Sequence, residues 1–257
     1  VDTLLTLFIT TTLYLLVIFC KKPSVKKALL IGLFFGLALA TKVSAIILVV
    51  SVLITLVVQK KTHLLICTLV IVLATGATFV FFEPYALIDF NNFWLQTLQQ
   101  SAMTKDAFTF PYTLQYVGKV PYIYELKNIF LFGLGPVLAL TSFIGIFYFI
   151  KISIKKDKWV RGAILIVFFA AYFFTVGRFA IGFMRYMLPL YPLLCLFGAI
   201  IAFKIIILIN KNIRNSFIEN TIYIVFFVIL LIWPMSFIHI YTRNNTRVDA
   251  TNWIIDI

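Results

Sequence analysis

The chain has 257 residues, of which 63% are apolar, 17% aromatic and only 12% charged, and its mean hydropathy is +1.07. That composition excludes a water-soluble globular domain and defines an integral membrane protein. A net charge of +13 would suggest nucleic acid in a soluble protein. Here most of that charge sits in short linkers that face anionic cytoplasmic lipid, so membrane lipids, and no nucleic acid, are the expected partners.

A bilayer span takes roughly 20 apolar residues. On that basis helices are predicted near 4–20, 28–41, 43–59, 63–82, 128–150, 162–177, 187–209 and 220–241. One long loop covers 83–127, and a tail runs from 242 to 257. The expected fold class is an all-α polytopic membrane helix bundle. The linkers between helices alternate in character. Those at Lys21 to Lys27, Lys60-Lys61, Lys151 to Arg161 and Lys204 to Arg214 hold 14 of the 22 Lys and Arg residues, with Asp157 as their one acid. Cytoplasmic loops collect Lys and Arg, which places the 83–127 loop and the tail on the extracytoplasmic side.

The 28–59 stretch decides that topology. Read as one helix it would put Lys42 near mid-membrane and invert every later loop, and the Lys/Arg bias would vanish. Broken at Thr41-Lys42, it gives two short helices whose apex points outward. At about 1.5 Å per residue, helix 28–41 is too short to cross. Such a helix is tolerated only where its end faces protein or a wet cavity, so Lys42 is expected at the floor of an external cavity.

Ionisable groups at membrane depth are costly and therefore mark function. Asp2 opens the first helix, followed by Thr3, Thr6 and Thr10 at helical spacing; it is either a dipole-favoured helix-terminal acid or a functional one. Lys42 is a functional candidate because snorkelling explains its position but not the helix break. Arg178 and Arg185 flank a short outer loop, and Arg185-Tyr186 runs into Leu188-Pro189-Leu190-Tyr191-Pro192. Paired guanidinium donors hold phosphate well; the alternative is an interfacial anchor beside Tyr186 and Tyr191. Glu83-Pro84 leaves a span and is placed to enter the cavity. In the loop, Phe90, Phe93, Trp94 and Leu98 recur at helix spacing opposite Asn91, Asn92, Gln96, Gln99 and Gln100, which predicts an amphipathic helix lying in the interface with Asp89 as its N-cap. Lys105-Asp106 reads as a solvated pair, and Gly133-Leu-Gly135-Pro136 as a loosened helix end. Cys20, Cys67 and Cys195 fall in separate segments, and His63 and His239 near opposite span ends. No metal site is therefore expected, and no cofactor, although a divalent ion is left open.

At this point the sequence resembles the dolichyl-phosphate-mannose protein mannosyltransferases and the related aminoarabinose transferases. The residues responsible are Gly36-Leu-Ala-Leu-Ala-Thr41-Lys42, Glu83-Pro84-Tyr85-Ala-Leu-Ile-Asp89-Phe90 and Pro111-Tyr-Thr-Leu-Gln-Tyr116-Val-Gly-Lys119-Val-Pro121-Tyr122. Asn128-Ile-Phe-Leu-Phe-Gly133-Leu-Gly-Pro136, Arg185-Tyr186-Met-Leu-Pro189-Leu-Tyr-Pro192 and Ala250-Thr-Asn-Trp253-Ile254 complete the set. The resemblance implies a glycosyltransferase C type bundle in a prokaryotic plasma membrane. It implies transfer of a sugar from a polyprenyl-phosphate donor to a hydroxyl on an acceptor glycan, lipid or protein, with inversion, on the extracytoplasmic face. Lys42, Arg178, Arg185 and Tyr186 would then bind the donor phosphate. Tyr112, Tyr116 and Lys119 would contact acceptor or sugar, and Asp2 and Glu83 would be accessory acids. The family's principal base lies in a loop that would precede Val1, so the expectation is a piece of a longer enzyme, inactive alone. The rival readings are a transporter or flippase for a lipid-linked sugar, which calls for related halves, and a noncatalytic scaffold.

Overall fold

The computed structural model describes residues 1–58, 64–155, 159–212, 216–242 and 245–256. Lys60-Lys61, His63, Asp157, Arg214 and Arg243 lie outside the described residues. All secondary structure among the described residues is helical, and six stretches are long and apolar enough to cross a membrane. The protein is an all-α polytopic membrane bundle.

The first helix, α1 (Asp2–Lys21), buries Leu5, Ile9, Leu13, Leu16 and Phe19, a face repeating every three or four residues. That stripe packs against α2 (Val25–Thr41), α3 (Leu48–Val58) and a later helix. Helix α2 starts three residues before the expected 28, where the Ser24 side chain accepts from the Lys27 amide at 3.4 Å. Its 17 residues therefore span about 26 Å, nearer a full crossing than the sequence suggested. Lys42 follows in extended backbone, φ −163° and ψ 126°, and a 3₁₀ turn over Val43–Ile47 leads into α3.

The next span, α4 (Leu64–Phe82), lies against α2 over most of its length. Gly32 and Gly36 permit the approach. A Cβ on Gly32 would stand 2.6 Å from Ala74 Cβ, and one on Gly36 would stand 2.7 Å from the Thr75 carbonyl oxygen. Without a hydrophobic drive between helices in lipid, such close small-residue contacts supply the association energy.

The loop that follows is structured. It carries α5 (Tyr85–Ile88), α6 (Phe90–Lys105), a 3₁₀ turn over Pro111–Tyr116 and α7 (Ile123–Asn128). Asp89 caps α6, accepting from the Asn92 amide at 3.4 Å and from the Asn92 side chain at 2.7 Å.

The helix expected from 128 begins as α8 only at Pro136 (Pro136–Lys155). A π turn over Ile129–Gly133 and Gly135 at φ +77° interrupt it. Pro136 then suits a first helical position because it has no N–H to leave unpaired. Helix α9 (Trp159–Val176) returns, and Ser51 Oγ on α3 donates to its Ile164 carbonyl at 2.9 Å. The helix expected from 187 opens as a 3₁₀ stretch, Met184–Leu190, and becomes α10 (Tyr191–Asn212) afterwards. Pro189 and Pro192 each remove a donor that an α-helix would use there. Helix α11 (Ser216–His239) exposes apolar side chains along most of its length, as a lipid-facing span does, and lays Trp233 against Gly135. A short 3₁₀ turn and α12 (Thr246–Ile255) end the described chain.

Candidate functional site

The start of α1, the end of α2 and the 3₁₀ stretch before α10 meet at one end of the bundle. There Lys42 Nζ lies 3.0 Å from Asp2 Oδ1, and Arg185 Nε lies 3.6 Å from Asp2 Oδ2. Lys42 also sits over the Tyr186 ring, 4.2 Å from its centroid. Residues from three segments far apart in sequence thus share one small volume. Each is placed by its backbone. Asp2 occupies the first turn of α1, where the helix dipole favours an acid. Lys42 occupies the break after α2. Arg185 and Tyr186 are fixed because Tyr172 on α9, itself buried, donates its hydroxyl to the Tyr186 carbonyl at 2.9 Å. The Arg185 side chain is 60% exposed, whereas that of Asp2 is 17% exposed. Arg185, whose guanidinium also lies over the Phe183 ring 4.8 Å from its centroid, is thus open to a ligand on its solvent side while the acid stays enclosed. Thr6 spends its hydroxyl on the Asp2 carbonyl, 2.9 Å away in its own helix.

Aromatic rings extend the rim. Phe183 stands edge-on to Tyr186 at 5.4 Å and to Tyr116 at 5.2 Å, and Tyr116 meets Tyr124 at 6.1 Å. Burial raises the Tyr116 phenol above its usual range, with Tyr124 and Glu125 adding to the rise and Arg185 opposing it. Tyr116 stays a neutral hydroxyl at any physiological pH. Tyr112 stacks on Phe110 at 5.5 Å and directs its hydroxyl to Met103 Sδ at 3.3 Å.

Lys119, expected at the acceptor, is placed differently. It is buried, and its ammonium donates to Glu125 Oε1 at 2.7 Å, to the Phe179 carbonyl at 3.0 Å and to the Ile181 carbonyl at 3.1 Å. All three protons are used within the protein, so Lys119 ties the long loop to the 179–181 segment and has none left for a sugar. Glu125 was not singled out from the sequence. Nothing in the five intervening loop residues signals that it would face Lys119. Desolvation pushes its carboxyl up, with the Lys119 hydrogen bond and charge opposing. Its second oxygen, Oε2, and the nearby Asn128 amide nitrogen are buried without a partner.

Arg178 does not join Arg185. It lines an adjoining open cavity of about 880 Å³ with Ser101, Thr104, Lys105, Tyr122 and Tyr116, the last shared with the rim. Tyr122 sits at φ 63°, ψ −47°, the centre of a tight turn in which the Ile123 amide donates to the Pro121 carbonyl at 2.7 Å. A bulky residue with positive φ is held only by its surroundings, and here the Tyr122 amide bonds the Gly177 carbonyl at 3.1 Å. Glu83 directly follows α4 and forms no ion pair among the described residues.

The fold and the acid-bridged cations define a polytopic membrane protein with a charged site at one end of its helices. Residues 1–88 match the family of dolichyl-phosphate-mannose-protein mannosyltransferase. The match bears out the resemblance at family level and supports a membrane glycosyltransferase of the glycosyltransferase C type. It takes in Asp2, Lys42 and Glu83 and ends six residues into the long loop, ahead of Tyr112, Tyr116 and the two site arginines. No curated protein and no solved structure matches the chain.

Proposed function

We propose that the protein transfers a sugar from a polyprenyl-phosphate donor to a hydroxyl acceptor, at the end of the bundle that carries Asp2, facing the extracytoplasmic side. The observation that carries this reading is the convergence of Lys42 and Arg185 on a single carboxylate. Two cations of different chemistry, one compact and one forked, suit a phosphate whose charge grows as the glycosidic bond breaks. Their position at a helix break and a loop end suits a lipid-borne group, whose chain stays in the bilayer while its headgroup reaches the rim. Tyr186 fixes the Lys42 ammonium through its ring. Tyr116 meets the same rim through Phe183 and, with Tyr112 of the same loop, is a candidate for sugar or acceptor contact. Activating the acceptor hydroxyl needs a carboxylate within hydrogen-bond reach. Asp2 already divides its oxygens between two cations, so of the two accessory acids Glu83 is the one without an ion pair among the described residues. Arg178 faces the neighbouring cavity and is left out of the donor site.

Membranes containing the protein should release labelled sugar from a radiolabelled polyprenyl-phosphate donor into a glycan or protein fraction. Arg185→Ala should reduce transfer at least tenfold, and Arg247→Ala on exposed α12 should not. Label that crosses the membrane still attached to its lipid, without transfer, would make the protein a transporter and overturn the proposal.

A further inference from the structure

The role of Asp2 can be taken further, on the footing that the rim binds the donor phosphate. Before reaction the donor is a phosphodiester with one negative charge. Transfer breaks the bond between the anomeric carbon and the phosphate oxygen and forms a bond from that carbon to the acceptor oxygen. The hydroxyl proton passes to a carboxylate base. The lipid leaves as a phosphomonoester, whose second ionisation lies near pH ~6, so it carries close to two charges at neutral pH. Lys42 and Arg185 alone would hold this spent lipid more tightly than the donor, and the site would clog with product.

Asp2 stands where it opposes that. Its oxygens lie 3.0 Å from Lys42 Nζ and 3.6 Å from Arg185 Nε, so any phosphate reaching both cations comes close to its carboxylate. Asp2 is mostly enclosed and fixed in the first turn of α1, so it remains when Arg185 turns to a ligand. We propose that Asp2 is a specificity-determining residue that disfavours a doubly charged phosphomonoester relative to a singly charged phosphodiester, and so speeds release of the spent lipid. Coulomb repulsion grows in proportion to ligand charge. At roughly 6 Å in water-like surroundings it amounts to about threefold in affinity for one charge and about tenfold for two.

The test measures binding of dodecyl phosphate and of methyl dodecyl phosphate to the protein in lipid nanodiscs at pH 8 and pH 5. At pH 8, Asp2→Asn should tighten the monoester about tenfold and the diester about threefold. At pH 5 the monoester bears one charge, and both should tighten by about threefold. Asp2→Ser repeats the charge removal should the Asn variant fail to fold. Equal tightening at pH 8, or weaker binding of both esters, overturns the inference. Lys42→Ala and Arg185→Ala separate the two claims. If neither variant weakens either ester, the phosphate site itself is wrong. If both variants lose binding while Asp2→Asn treats the esters alike, only the role of Asp2 falls.

Discussion

Replacing Lys119 by Met removes the ammonium that compensates Glu125 in a place where both side chains are 2% exposed. The variant loses three hydrogen bonds, two of them to the Phe179 and Ile181 carbonyls, and leaves a carboxylate with one oxygen already unpartnered. Breaking a buried pair in this way costs about 3–5 kcal/mol. Equilibrium unfolding in mixed micelles at pH 8 should register that loss. The pH dependence carries a sign. Burial raises the folded-state pKa of Glu125 above its ordinary 4.5, so the folded protein holds that proton more firmly than the unfolded chain. The associated stability is complete below about pH 4.5 and is lost as pH rises through the raised folded value. Lys119 opposes the rise, so its removal lifts that folded value further. The gap between Lys119→Met and the parent should therefore narrow as pH falls from 8 to 5. The double replacement Lys119→Met with Glu125→Leu should recover most of the loss at pH 8, because no buried charge remains. A single variant that loses under about 1 kcal/mol at pH 8, or a gap that widens in acid, would mean that Lys119 does not compensate a buried Glu125 charge.

Gly36→Leu should be poorly tolerated, because a Cβ there already meets the Thr75 carbonyl oxygen and Thr78 Cβ at 2.7 Å. Overpacking of this kind costs about 1–3 kcal/mol, and unfolding in micelles should detect it, whereas Gly76→Ala, with nothing within 4 Å, should leave stability unchanged or raise it. Asp89→Ala removes the cap of α6 at about 1 kcal/mol, seen as faster amide exchange confined to the first turn of that helix. A cysteine at Val117, which is 49% exposed, should react with a membrane-impermeant thiol reagent on intact cells; labelling only after lysis would place the long loop in the cytoplasm.

Fold class was legible because apolar runs of bilayer length leave few alternatives. Lys42 stood out since a lone cation inside an apolar run demands a reason, and Asp89 since an acid precedes a helical pattern. The ends of helices were less legible. The sequence put one span from 128 and another from 187, but prolines 136, 189 and 192 and the positive φ of Gly135 decide where α-geometry begins. Those effects act through missing donors and local backbone, which hydropathy does not report. The site divides in the same manner. Residue type nominated Asp2, Lys42, Arg178 and Arg185, and the resemblance added Lys119; only three-dimensional packing joins three of them while placing Arg178 at an adjoining cavity and burying Lys119 against Glu125.

The donor KM of the reconstituted protein, compared across Lys42→Ala, Arg185→Ala and Arg178→Ala, tests the phosphate site most directly. The first two should raise KM for a radiolabelled polyprenyl-phosphate sugar by tenfold or more, with Arg178→Ala within twofold of the parent. A rise confined to Arg178→Ala would put the donor in the other cavity and contradict the account.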